Sequence, residues 1–182
     1  DKNGTIMIFM RVKVNMKAPK ITKYIKEFIA GIVARIDEAN NENGFVLVFD
    51  FTDAGLRNVD LDMLSYIISL LRYCYPEGLV YCLVYNLPWI LRKFWALVKS
   101  WIQPNHHHLI LFANGDEIKN FVNEDNLPKY LGGSCCKSFT EPPEECKSSF
   151  RDMGPKYGFS EDELDKLFKL FENQLKEAET LS

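Results

Sequence analysis

The side chains of this chain that could do chemistry fall into three groups. Asp50 and Asp53 flank Thr52 after an apolar run, where two carboxylates could hold Mg²⁺ or share a proton. The simpler expectation is that Asp50 accepts hydrogen bonds from its neighbours' backbone N–H groups and so caps a loop. His106, His107 and His108 are consecutive. At the start of a strand alternate side chains point to opposite faces, so only His106 and His108 could share a metal, and a solvated approach to a strand is expected instead. Cys135, Cys136 and Cys146 are close in sequence, but vicinal cysteines do not comfortably ligate one zinc, and the spacing fits no common zinc module. Cys74 and Cys82 sit in apolar patterns, where a thiol acts as a small hydrophobe. Five cysteines, an odd number, predict a reducing compartment. There is no GxGxxG, GxxxxGK[ST] or GxSxG, which removes the usual routes to dinucleotides, nucleotide phosphates and acyl transfer. The expectation is a chain with no catalytic residues, no metal and no cofactor.

The elements that must position any site alternate regularly. Gly4 to Val14 sets Ile6, Ile8, Met10, Val12 and Val14 on one face against Met7, Phe9, Arg11 and Lys13 on the other, as a strand does. Pro19 and Lys20 open a helix whose apolar positions run from Ile21 to Ile36, broken by Asn40, Asn41 and Gly44. Phe45 to Phe51 is apolar on both faces, as in a central strand covered on each side. A helix from Leu61 to Tyr75 stops at Pro76, and Leu79 to Leu87 reads as a second doubly buried strand. A helix, a short strand at Leu109 to Ala113 and a short helix near Asp116 to Val122 follow. Strands separated by helices at these intervals need crossover connections, so the expected fold is α/β with a mostly parallel sheet.

The helix from Leu87 to Ile102 holds all three tryptophans and lies inside the 38 acid-free residues from Gly78 to Gly115. Ile90, Leu91, Phe94, Trp95, Leu97, Val98, Trp101 and Ile102 fan over roughly 160° of a helical projection, opposite Arg92, Lys93, Lys99 and Ser100 with Trp89 and Ala96. This is a cationic amphipathic helix, too short to span a bilayer but composed like one that lies on a membrane surface. The chain carries a net charge of −3, which argues against nucleic acid as a partner. Its opening Asp-Lys-Asn-Gly is polar with no apolar run behind it, so neither a leader nor a transmembrane segment is expected.

The order of motifs resembles the CRAL-TRIO lipid-binding domain family. Tyr75, Pro76 and Glu77 form a Tyr-Pro-Glu turn into a strand ending Asn-x-Pro at Asn86 and Pro88; an amphipathic helix with Lys99 follows, then Pro104, a strand, Leu127-Pro128 and Gly132-Gly133. The Asp-Lys-Asn-Gly turn and Asp50-x-x-x-x-Gly55 also fit, so the resemblance covers residues 1–133. It implies a hydrophobic pocket floored by the sheet, with Phe45, Leu47, Phe49, Leu83, Tyr85, Phe94 and Val98 lining it. It also implies a gating helix over that pocket, which swings out at a membrane through Trp89, Ile90, Arg92, Lys93, Trp95, Leu97, Lys99 and Trp101 to exchange one bound lipid. The role implied is non-catalytic and the location cytoplasmic and peripheral to membranes, at endoplasmic reticulum or lipid droplet contact sites in a longer protein. In a member that transfers phosphatidylinositol and phosphatidylcholine, the Glu of the turn pairs with a Lys ahead of the Leu-Pro motif at the inositol site, and hydroxyls on the central strand meet the choline phosphate. Here Glu77 fits, the Lys position falls near Asp116 and Glu117 with Lys119 the nearest base, and Phe45 and Leu47 replace the hydroxyls. Glu77 and Lys119 are thus the candidate head-group contacts, and the expected ligand is a sterol, fatty acid or other weakly polar lipid. The alternative reading is a protein-interaction or scaffold module, for a small GTPase or a membrane-contact partner, with its pocket collapsed.

Beyond residue 133 the chain turns acidic, with seven bases and eleven acids. Ser134 to Phe159, carrying Pro142, Pro143, Gly154, Pro155 and Gly158, reads as a linker. Ser160 and Glu163 form a capping box opening a helix over 160–182, with Leu164, Leu167, Phe168, Phe171 and Leu175 on one stripe. An isolated helix of about 20 residues is marginal, so the stripe is expected to dock on its own domain, on a second copy or protein partner, or at the pocket mouth.

Overall fold

The computed structural model describes residues 1–40, 43–135 and 148–181. The chain divides into two compact units, Asp1–Asn126 and Leu127–Ser182.

The first unit is built on β1 (Ile6–Arg11), α1 (Pro19–Ala39), β2 (Phe45–Asp50), α2 (Leu61–Cys74), β3 (Leu79–Tyr85), α3 (Arg92–Trp101) and β4 (Ile110–Ala113). The four strands are parallel and stand in sequence order, β1-β2-β3-β4. Successive neighbours joined by crossovers of one hand put every crossover helix on the same face of a sheet. Accordingly Leu47, Met63 and Ile67 form a buried cluster packed by Ile25 and Ile29 of α1 and by Ile8 and Met10 of β1. β2 is central: Phe45, Val46, Leu47 and Val48 are all buried, each contributing about 1.5–3 kcal/mol. On the other face Tyr81 packs against Phe121, with ring centres 6.0 Å apart, and the Tyr85 hydroxyl donates to the Gly115 carbonyl at 2.9 Å.

Local chemistry sets the element boundaries. The Asp60 carboxylate caps α2 by accepting from the Met63 N–H at 3.0 Å. Gly44 has φ 77°, and a Cβ there would press on the Gly78 carbonyl and the Val80 side chain, so only glycine fits the turn into β2. β1 stops at Arg11, short of the expected Val14, because its partner β2 ends opposite it at Asp50. Val12–Val14 turns into a 3₁₀ segment instead. Buried Asn58 then donates to the carbonyls of Lys13 at 2.7 Å and Asn15 at 3.1 Å. The Trp-rich segment opens with a 3₁₀ turn, Trp89–Leu91, before α3 proper. The histidines lie in a 3₁₀ segment, Pro104–Leu109, that leads directly into β4. His107 Nε2 lies 3.2 Å from the Lys99 carbonyl and 3.0 Å from that of Ile102, which meets the open carbonyls at the end of α3. The turn after β4, Gly115–Asn120, is likewise 3₁₀, not α-helical.

In the second unit, Pro128 bridges Cys135, and the intervening turn needs both glycines of its pair. Gly132 has φ 81°, and a Cβ on Gly133 would overlap the Leu127 carbonyl. The segment expected as linker is helical in part: α4 (Phe150–Met153) is capped by Ser149, and a 3₁₀ turn, Gly154–Tyr157, follows. The expected terminal helix is two, α5 (Glu161–Leu170) and α6 (Glu172–Leu181), broken at Phe171. The capping box holds: the Glu163 N–H donates to Ser160 Oγ at 3.4 Å and the Ser160 N–H to Glu163 Oε2 at 3.1 Å. Within this unit Arg151 pairs with Asp165 at 2.8 Å and lies over the Phe168 ring. Cys136 and Cys146 lie outside the described residues.

Candidate functional site

Between the helices and the sheet of the first unit lies an apolar cavity of about 170 Å³. Leu47 and Phe49 of β2, Cys82 and Val84 of β3 and Ile110 of β4 form its floor. α2 walls it with Leu64, Ile67, Ile68 and Leu71, and the Trp-rich segment roofs it with Leu91, Phe94, Trp95, Val98 and Trp101. Of the residues expected to line it, Leu47, Phe49, Phe94 and Val98 do.

Leu83 and Tyr85 do not, and the reason is a bulge. Phe45 pairs with Leu79 but Val46 pairs with Tyr81, so Val80 is left unpaired and 41% exposed. A single extra residue reverses the alternation along the rest of the strand, bringing Cys82 and Val84 to the cavity and sending Leu83 and Tyr85 to the far face. Phe45 is also outside the lining; it is fully buried, edge-on to Tyr75 with ring centres 6.4 Å apart.

α3 presents two faces. Phe94, Trp95, Val98 and Trp101 turn inward, and Trp95 also meets Phe112 of β4 edge-on at 5.1 Å. Outward stand Arg92, Lys93 and Lys99 together with two large apolar side chains, Trp89 at 73% and Leu97 at 43% exposure. Ile90 is half-buried and does not line the cavity. The candidate head-group residues are not brought together. Glu77 precedes β3 and Lys119 follows β4, and because the strands are parallel the two lie at opposite edges of the sheet. Lys119 is engaged with Asp116 at 2.9 Å, and that hydrogen bond holds the Asp116 carboxyl below the usual carboxylate range.

The groups that could have pointed to catalysis have structural partners. Buried Asp50 accepts from the Thr52 N–H at 2.9 Å. Asp53 has φ 59° and lies 3.9 Å from the Lys13 ammonium. Burial pushes the Cys82 thiol up to about 12, so it faces the cavity as a neutral group. Among the described residues no three His, Cys, Asp or Glu side chains converge as a metal site would require, and no helix is long and apolar enough to cross a membrane.

Sequence reasoning passed over Asn86 as more than a motif residue. At φ 52°, its amide donates to Thr52 Oγ1 at 2.9 Å, its Oδ1 accepts from the Gly115 N–H at 2.9 Å, and its own N–H donates to the Ala113 carbonyl at 2.9 Å. One residue thereby ties together the carboxyl ends of β2, β3 and β4.

A parallel sheet with its crossover helices on one face and an apolar cavity between the layers defines an α/β domain organised around a hydrophobic site. Residues 1–133 match the CRAL/TRIO domain, and the chain belongs to that family. It is 33% identical over 103 residues to a CRAL-TRIO domain-containing protein of Schizosaccharomyces pombe, covering 56% of this chain and 23% of that one. It is 24% identical over 136 residues to a phosphatidylinositol transfer protein of Eremothecium gossypii, covering 73% and 31%. The chain thus spans less than a third of the length of either relative. Membership of this family supports lipid binding or transfer in general.

Proposed function

We propose that the first unit binds one weakly polar lipid in the cavity beneath α3 and exchanges it at membrane surfaces, with α3 as the lid and without catalysis. The observation that carries this reading is the double character of α3, whose inner face roofs an apolar cavity while its outer face sets Trp89 and Leu97 among Arg92, Lys93 and Lys99. Swinging the roof into water would expose its apolar face at about 25 cal/mol per Å², so opening is favoured only where that face finds another apolar phase. A bilayer supplies one, and each cation near an anionic surface adds up to about 1 kcal/mol. The alternative, an interaction module, called for a pocket filled by aromatic side chains; the cavity of about 170 Å³ favours the lipid reading.

Low ligand polarity is supported by Leu47 on the cavity floor and by the separation of Glu77 from Lys119. Preference is therefore for a sterol, fatty acid or similar lipid over phosphatidylinositol, even though one relative is named for transferring the latter. The Asp-Lys-Asn-Gly start, the Phe-x-Arg-Val-Lys strand and the Asn-x-Pro-Trp helix are also similar to the CRAL-TRIO domain of motile sperm domain-containing protein 2. That likeness supports a cytoplasmic place at membrane contact sites within a longer protein. Native mass spectrometry of the purified protein should find one co-purified lipid, and a vesicle-to-vesicle assay should find it exchanged. Protein of apo mass that moves no lipid between vesicles would overturn the reading, and phosphatidylinositol exchanged as fast as a sterol or fatty acid would overturn the preference.

A further inference from the structure

The cavity has two unlike ends. At the carboxyl edge of the sheet its lining is Phe51, Val59, Leu61, Leu64, Leu87 and Leu91, all apolar. At the amino edge Arg72, Tyr75, Gln103 and His106 join apolar Leu79, Trp101, Ile102 and Leu109 in the lining, so the polar groups of the lining gather at this end. The four polar residues share an edge by topology: Arg72 and Tyr75 lead into β3, Gln103 and His106 lead into β4, and β3 and β4 are parallel neighbours with Cys82 opposite Ile110. Arg72 makes no ion pair among the described residues and lies 5.2 Å from the centre of the Tyr73 ring. Two acids belong to the same region, Glu77 in the turn before β3 and Asp37, which acts on Tyr75, and neither lines the cavity.

We propose that the ligand is a single-chain amphiphile with one carboxylate head, a long-chain fatty acid, held with its carboxylate at Arg72, Gln103 and His106 and its chain running toward Phe51 and Leu87. This rests on the lipid-binding reading above and narrows its ligand class. Charge is the first argument. Among the described residues Arg72 has no ion-pair partner, and a cavity end that carries a guanidinium, an amide and an imidazole, with no acid in its lining, suits a carboxylate. Shape is the second. The lining is elongated, running from Phe51 and Leu87 at one end to Arg72 and His106 at the other, which suits one slender chain better than a compact fused ring system. Length is the third. α2 lies along the cavity from Leu61 to Arg72, a rise of about 17 Å at 1.5 Å per residue. An extended chain advancing about 1.2 Å per bond covers that span in roughly 14 bonds.

The test uses the full chain with cis-parinaric acid and its methyl ester, each read by energy transfer from Trp95 and Trp101, which line the cavity. The acid should bind about tenfold tighter than the ester, as one charge-assisted contact implies. Arg72→Gln, at an exposed position on α2, should bring the acid to the affinity of the ester and leave the ester unchanged. Equal affinities in the unmodified protein, or an acid preference that survives Arg72→Gln, would overturn the head assignment while leaving lipid binding intact. Energy transfer to neither probe, in protein that also carries no co-purified lipid, would overturn both.

Discussion

At the scale of single residues, Asn86 and Cys82 carry the most testable consequences. The left-handed backbone of Asn86 is tolerated because asparagine adopts it more readily than most residues, and its side chain makes two hydrogen bonds that close the end of the sheet. Asn86→Ala loses both bonds and should cost about 1–3 kcal/mol. Asn86→Gly loses the same bonds but relaxes the backbone, so it should cost measurably less. Urea unfolding of the two variants checks this, and equal losses would mean that the backbone conformation contributes nothing. For Cys82, burial disfavours the thiolate, so the group remains a thiol through pH 7–9. Iodoacetamide at pH 8 should modify exposed Cys74 and spare Cys82, as peptide mapping by mass spectrometry can read. The linkage has a definite sign: a cysteine in the unfolded chain ionises near 9 and this one near 12, so the stability tied to its burial is full below pH 9 and declines as pH rises from 9 toward 12. Equal labelling of the two thiols would show that the cavity floor is open to solvent. Cys82 also marks a limit of sequence reading. Alternation in Leu79 to Leu87 pointed to Leu83 and Tyr85, and nothing in the local sequence declared the bulge at Val80 that exchanged them for Cys82 and Val84.

At the scale of elements, strands and helices were legible because their periodicities are strong, and so was the facing of most of the Trp-rich segment. Trp95 and Trp101, on the apolar arc of the projection, line the cavity, and Trp89, on the cationic arc, stands in solvent. Ile90 departs from its projected arc because it lies in the 3₁₀ turn Trp89–Leu91, where three residues per turn shift it from the place that 3.6 would give it. Leu97 falls at the margin of the inward arc and is likewise left exposed. The outer face is therefore where first membrane contact is decided. Trp89→Asp combined with Leu97→Asp should abolish co-sedimentation with anionic vesicles while circular dichroism stays native-like, since neither residue is buried. Arg92→Gln with Lys93→Gln should weaken the same binding at low salt and make little difference near 1 M, where charges are screened within about 3 Å. Vesicle binding by the Asp variant at the level of the unmodified protein would remove α3 from the membrane contact.

At the scale of the whole molecule, the in-order sheet explains why the site is where it is. With α1, α2 and α3 on one face, α1 and α2 share a buried cluster with β1 and β2, and β3 and β4 are left to α3, a helix of 10 residues beside neighbours of 21 and 14. The cavity thus lies under the shortest of the three helices, which bears the smallest cost when it moves. Ligand that fills this space stabilises the folded state by mass action, by about 2.7 kcal/mol at a hundredfold excess over Kd. For a chain of this size that corresponds to a rise in Tm of roughly 5–10 °C. The gain should also be local. Amide exchange should slow in Leu61–Cys74 and Arg92–Trp101, whose side chains wall and roof the cavity, and stay unchanged in Glu161–Leu170, which contributes nothing to its lining. Thermal unfolding and hydrogen exchange with and without long-chain fatty acid measure both effects. Slower exchange spread evenly over both units, or a Tm that does not move at saturating ligand, would show that the cavity beneath α3 is not where the ligand goes.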